Sequence, residues 1–149
     1  MKIRRTSLFF NNIISCKSVV NINKWYEELV SFRNSIIKSN IFQTGPFFYK
    51  INNLNLENQK AEFTFYMPID KAVSIKDNTK YTYIKNFIIK DGLTIRIEDL
   101  ENELEDSYEV LKECAQSNGL NLQGEFYNIY TDIYGEPVVD VYAPIEEGK

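Results

Sequence analysis

The sequence predicts an α+β fold: about eight antiparallel strands and two long helices, produced by a tandem duplication. Two observations carry this. The segment "FTFYMPID" at 63–70 reappears as "VDVYAPIE" at 139–146, 76 positions later. Two amphipathic helical stripes also repeat, Trp25, Leu29, Phe32 and Ile36 matching Leu104, Tyr108, Leu111 and Ala115 at a constant offset of 79. Gly45 and Gly124 keep that offset. The repeated unit is strand, helix, strand, strand, and alone it has too few strands to bury both a helix and a sheet face. The chain therefore reads as one domain over 1–149, with pseudo-repeats 1–75 and 76–149 that pair their sheets.

Each element has its own local signal. The alternating, aromatic-rich "RRTSLFFNNIIS" opens the chain as a strand. In "NKWYEELVSFRNSIIKSN" the apolar residues recur at helical spacing, Asn23 is placed to cap, and Glu27 and Glu28 lie where the helix dipole favours acids. "GPFFYKI" and "FTFYMPI" follow as a hairpin joined by a polar turn. The second unit opens on "KYTYIKNFIIK" and continues into "EDLENELEDSYEVLKECAQSNGL", with Asp99 as N-cap and Gly119 where a left-handed C-cap is wanted. "GEFYNIY" and "VVDVYAPI" close it, with a hairpin three residues shorter than the first. Trp25, Leu29, Phe32, Leu104 and Leu111 are the expected core of the two helix faces.

Composition narrows the function. The chain has 149 residues, a net charge of −4 and no basic block beyond Lys2, Arg4 and Arg5, which argues against a nucleic-acid surface. Its apolar runs are too short to span a bilayer, and "SLFFNNIIS" does not make a secretory signal, so the expectation is a soluble, cytoplasmic protein without membrane insertion. Histidine is absent, which removes the usual general base, the usual metal ligand and every Ser/His or Cys/His nucleophile pair. Cys16 and Cys114 read as ordinary thiols. No cofactor and no metal are expected, and the chain reads as non-catalytic. The acidic run 98–109 is expected to be the solvated start of the second helix, with a docking face for a basic partner as the alternative.

"EDSYEVLKECAQSNGLNLQGEFYNIYTD" followed by "VVDVYAPI" resembles the GyrI-like, or multidrug-regulator effector-binding, superfamily, and "GPFFYKI" and "EFTFYMPI" resemble its first-half counterparts. The resemblance covers almost the whole chain. In the superfamily an acid on the last strand, four residues before the terminal proline, commonly lies in an aromatic pocket and pairs with lipophilic cations. The matching residue is Asp140, one methylene shorter than the Glu usual there. Strand alternation puts Asp140 and Tyr142 on one face, and the duplication makes Thr64 and Tyr66 their counterparts. Trp25, Tyr83, Tyr108 and Tyr130 complete the expected walls of a ligand site. The competing reading leaves Asp140 on a solvated strand face. Some superfamily members resemble hydrolases that use a pocket Glu and Tyr; here the nearest spare acid is Glu62.

In transcription-factor members a DNA-binding module precedes this domain; here the first strand starts within the opening residues, so a stand-alone domain is expected. The first 49 residues also resemble stand-alone proteins of this fold that accompany type VII secretion loci and act there as chaperones or targeting factors. Three functions follow from these resemblances, in order: an adaptor or chaperone for a protein client such as a secreted toxin, a sensor or sequestering protein for a lipophilic small molecule such as a lipophilic cation, and last a small-molecule hydrolase. The oligomeric state is not legible.

Overall fold

The computed structural model describes residues 2–75, 80–133 and 135–147. Its described residues form six strands and two helices: β1 (Ile3–Asn21), α1 (Trp25–Lys38), β2 (Phe48–Asn55), β3 (Lys60–Pro68), β4 (Tyr81–Ile97), α2 (Leu100–Ser117), β5 (Tyr127–Ile133) and β6 (Glu136–Pro144). The fold is α+β, as expected, with six strands rather than about eight. The difference lies in β1 and β4, which run through 19 and 17 residues, each two or three times an ordinary strand. Asn12, at φ 55°, kinks β1 without ending it.

Packing divides the chain into two compact units, one of Phe10–Phe87 and one of Met1–Phe9 with Ile88–Lys149. In the Phe10–Phe87 unit, β3 is flanked by β1 and β2, both antiparallel to it. In the other unit, β6 is flanked in the same way by β4 and β5. Registers repeat as well as order. Ile13 faces Pro68 and Gly92 faces Pro144; Ser15 faces Tyr66 and Thr94 faces Tyr142; Phe48 faces Tyr66 and Tyr127 faces Tyr142. Even the bridges outside the strands match, Gln43 to Ile69 and Leu122 to Ile145.

Alternation along each central strand gives one face to its helix. In the Phe10–Phe87 unit Leu29, Phe32 and Ile36 of α1 are buried, and Trp25 packs on Tyr49 and Phe63. In the other unit Leu111 and Ala115 of α2 bury against Leu93, Ile95, Ile97, Val139, Val141 and Ala143. Trp25 and Leu104, expected fully inside, are only partly buried, because each lies in the first turns of its helix, at the rim of the sheet.

The caps are also unequal. Asp99 accepts from the Asn102 backbone N–H at 3.3 Å while Glu103 accepts from the Asp99 N–H at 3.1 Å, a reciprocal arrangement that satisfies two otherwise orphaned donors. The N-cap of α1 is Lys24 rather than Asn23, with no side-chain cap. Both helices stop on a left-handed residue, Asn40 at φ 60° and Gly119 at φ 68°, as a chain reversal at a helix end requires.

Candidate functional site

The residues that sequence analysis grouped as a ligand site fall into both units. Trp25, Tyr66 and Tyr83 belong to Phe10–Phe87; Tyr108, Tyr130, Asp140 and Tyr142 belong to the other. Each set is built by the strands and helix of its own unit.

In the unit containing Asp140, strand alternation separates the expected walls. Tyr108 and Tyr130 pack against the core beneath α2, on the opposite face of the sheet from Asp140. Tyr108 stacks on Phe126 at 4.2 Å and shares hydrogen bonds with the fully buried Asn128 amide, and burial pushes its hydroxyl up to about 12. It is a core tyrosine with a satisfied hydroxyl.

Asp140 lies on the helix-distal face directly opposite Arg96. The guanidinium grips the carboxylate in a bidentate pair, Nε to Oδ1 at 2.8 Å and Nη2 to Oδ2 at 3.1 Å. Asp140 already carries its countercharge, so the free carboxylate that a cation pocket needs is not present at this position. Its face-mate Tyr142 is fully buried and donates its hydroxyl to the Thr6 carbonyl at 2.7 Å. The ring passes over Gly92, where a Cβ would stand 2.5 Å from the hydroxyl oxygen. Burial, with Asp91 adding to it, pushes the Tyr142 hydroxyl up to about 12. Asp91 itself is held by Arg5 at 2.9 and 2.6 Å, and that hydrogen-bonded guanidinium lowers its carboxyl below the ordinary range. On this face both carboxylates, Asp91 and Asp140, are paired with arginines.

In the Phe10–Phe87 unit the helix-distal face is aromatic instead. Tyr66 stacks on Phe48 with centroids 4.7 Å apart and rings within 10° of parallel, and it meets Phe87 at 5.3 Å. Phe48 in turn touches Phe10 at 5.1 Å and Phe87 at 5.2 Å. Phe48 and Tyr66 are buried; Phe10 and Phe87 are half-buried and form the outer layer. Two residues before Tyr66, on the same face, stands Thr64, 5% exposed, whose hydroxyl has no hydrogen-bond partner among the described residues. Trp25 is not part of this face, since it packs on Tyr49 and Phe63 on the α1 side. Tyr83 donates to the Asn12 side chain, within the same unit.

Thr64 is flanked by Lys17 on β1 and Lys50 on β2. Lys17 reaches Glu62 only at 3.9 Å. Sequence analysis missed Arg96, Phe48, Phe87 and the two lysines. One signal was available: a basic residue stands at the same place in both repeats, Lys17 and Arg96, separated by the common offset of 79.

A cleft of about 560 Å³ also opens in the Phe10–Phe87 unit between α1 and the segment after β3, walled by Phe32, Ile36, Ile41, Val73 and Tyr81. The matching corner of the other unit, about 520 Å³, is lined by Lys112, Gln116, Asn121 and Glu146 among others. Among the described residues no cluster of three His, Cys, Asp or Glu stands ready for a metal ion, and no helix is long and apolar enough to cross a membrane.

No curated protein matches the chain. Solved structures do. The chain is similar to EcmrR in its DNA complex, with a TM-score of 0.74 and 14% identity over 98% of this chain; it spans only 58% of that protein's length. The isolated EcmrR C-terminal domain matches end to end, with a TM-score of 0.72 and 12% identity over 99% of this chain and 100% of that one. A hydrolase from Listeria innocua follows at 0.63 and 9% identity over 96% of this chain and 92% of that one. SAV2435 bound to tetraphenylphosphonium follows at 0.51 and 12% identity over 98% and 94%. These likenesses show a shared fold, in keeping with the GyrI-like effector-binding resemblance. Residues 9–147 match the family described as Domain of unknown function (DUF5085), and the chain belongs to that family.

Proposed function

We propose that this chain is a non-catalytic binding domain of the effector type, taking a small lipophilic aromatic molecule on the helix-distal face of the Phe10–Phe87 unit. The observation that carries the reading is the stacked set Phe48, Tyr66, Phe87 and Phe10, on the face that also carries Thr64, whose buried hydroxyl has no hydrogen-bond partner among the described residues. Aromatic faces supply stacking and dispersion to a ligand ring, at about 0.5–1.5 kcal/mol per pair beyond area burial. The fold shared with SAV2435, which binds tetraphenylphosphonium, supports this ligand class. The bidentate grip of Arg96 on Asp140 supports a site that works through ring faces rather than through a bare carboxylate. Non-catalytic action is supported by the lack of histidine and by the positions of the acids, Asp140 held by Arg96 and Glu62 beside Lys17.

The test is titration with the lipophilic dye Nile red, with tetraphenylphosphonium as competitor. Saturable binding in the roughly micromolar range is expected. Tyr66→Ala should weaken it on the order of tenfold through the lost ring face, whereas Asp140→Asn should change it by less than about twofold, since that charge is already spent on Arg96. Binding that ignores Tyr66→Ala but vanishes in Asp140→Asn would return the role to the carboxylate and sink this reading.

A second reading, the adaptor for a protein client such as a type VII-secreted toxin, is favoured by a different observation. Leu54 and Leu56, at the tip of the β2–β3 hairpin, are 53% and 77% exposed. Exposed apolar side chains on a protruding hairpin are what a docking partner covers. Leu56→Asp abolishing capture of a co-expressed client, with dye binding intact, would establish that role beside the first.

A further inference from the structure

The cleft between α1 and the segment after β3 lies on the other side of the sheet from the aromatic face, since its Ile14 pairs with Met67 and not with Tyr66. We propose that this cleft is a second binding site and that it takes an aliphatic chain ending in a carboxylate, such as a medium-chain fatty acid.

Three observations converge. First, the cleft has the size and lining of a ligand site. Its volume of about 560 Å³ falls within the range of about 300–1,000 Å³ usual for small molecules. Ile14, Ile36, Ile41, Val73 and Ile75 give it a largely aliphatic wall, suited to a hydrocarbon chain. Second, the fold does not impose that apolar character. The matching corner of the other unit is lined by Lys112, Gln116, Asn121 and Glu146 among others. Beside the cleft, Ile37 and Phe42 are exposed, at the positions where the other repeat carries Gln116 and Asn121. Apolar surface kept at this corner in one repeat alone marks it for a ligand.

Third, the charged group at the cleft selects the head group. Lys71 donates one N–H to the Asn40 carbonyl at 3.0 Å, a neutral partner that leaves the ammonium charge in place and two N–H groups to offer. Among the described residues no carboxylate stands within ion-pair distance of it. Asp70, its neighbour in the chain, accepts from the Phe42 backbone N–H at 3.1 Å, and Glu28 of α1 pairs with Lys80 at 3.2 Å. The end of α1 leaves no bare carbonyls at Ile36 and Ile37, which accept from the Ser39, Asn40 and Ile41 N–H groups. The hydroxyls of Ser35 and Ser39, also at the cleft, donate to the Ser31 and Ser35 carbonyls, so Lys71 is the charged donor that meets a ligand.

The experiment titrates the full chain with two probes of equal chain length and opposite charge, sodium decanoate and decylammonium chloride, followed by NMR of isoleucine and valine methyl groups. The Ile36, Ile41 and Val73 methyls should shift saturably, with decanoate binding about fivefold tighter, the scale of one solvent-exposed charge contact. Lys71→Arg should keep that preference and Lys71→Glu should reverse it, with the methyl spectrum of the free protein unchanged away from the cleft. Tyr66→Ala should leave the decanoate titration as it was, so failure of the aromatic site and failure of this one are read separately. Absence of saturable shifts at these methyls would overturn the site. Equal binding of the two probes, or a decanoate preference that survives in Lys71→Glu, would overturn the assignment of a carboxylate ligand.

Discussion

The two units are the same construction finished in two ways. Their backbones correspond bond for bond: Ile69 N–H donates to Asn12 O at 2.8 Å as Ile145 does to Asp91 O at 3.0 Å, and Thr44 donates to Pro68 O at 3.0 Å as Gln123 does to Pro144 O at 2.9 Å. Their helix-facing surfaces are both apolar cores. The helix-distal surfaces differ. One unit pairs its charges through Arg96–Asp140 and seals Tyr142 over Gly92; the other stacks aromatic rings on the face that also carries Thr64, whose hydroxyl has no partner among the described residues. Backbone pairing and helix packing constrain one side of each sheet, and the other side is free to diverge. That is where a duplicated fold can acquire a binding specificity without losing stability.

The strongest challenge to this correspondence is in the shared cores. Phe32 and Leu111 occupy equivalent positions, both buried. Phe32→Ala should cost about 3–5 kcal/mol and Leu111→Ala about 2–5 kcal/mol, by lost burial plus cavity. Chemical denaturation of each variant measures this; a loss below about 1 kcal/mol in either would mean that its helix face is not part of a repeated core.

A smaller effect sharpens the contrast. Gly92→Ala places a methyl against the Tyr142 ring, so that ring or its strand must shift; a cost of about 1–3 kcal/mol is expected. The counterpart of Gly92 is Ile13, which is accommodated because the Tyr66 ring stacks on Phe48. Ile13→Ala should therefore destabilise by cavity formation, the opposite steric cause. Recovery in Gly92→Ala with Tyr142→Ala but not in Gly92→Ala with Tyr142→Phe is the expected result, since only the former removes the ring; equal impairment of the two double variants would show that the clash does not lie with the ring.

The smallest effect is in titration. Tyr108 and Tyr142, both pushed up to about 12, should ionise well above the ordinary tyrosine value of about 10, visible as a late phase in absorbance near 295 nm. Because their folded values lie above the ordinary 10, the stabilisation they contribute is complete below pH 10 and is lost as pH rises toward 12. Tyr142→Phe should remove part of that late phase. A late phase unchanged in Tyr142→Phe would show that the Tyr142 hydroxyl is not enclosed.

The sequence by itself determined the duplication, the order of elements and which strand residues share a face. Those features are written in local periodicity, period 2 along strands and 3.6 along helices, and in offsets between repeats that any reader of the chain can subtract. Residues such as Leu29 and Leu111 were placed in the core on that basis, and both are buried. Only the tertiary structure decided the state of each special side chain. Asp140 is charge-paired because β4 pairs with β6 and brings Arg96 opposite it across 44 positions of chain. Tyr130 and Tyr108 lie in the α2 core because the face of a strand or helix that meets its partner is chosen by packing, not by residue type. The strand count fell to six because nothing in a run of strand-forming residues tells a kink, as at Asn12, from an end. Thr64, identical in local pattern to Asp140, acquires its meaning from the partner it lacks among the described residues, and a missing partner is a property of three dimensions.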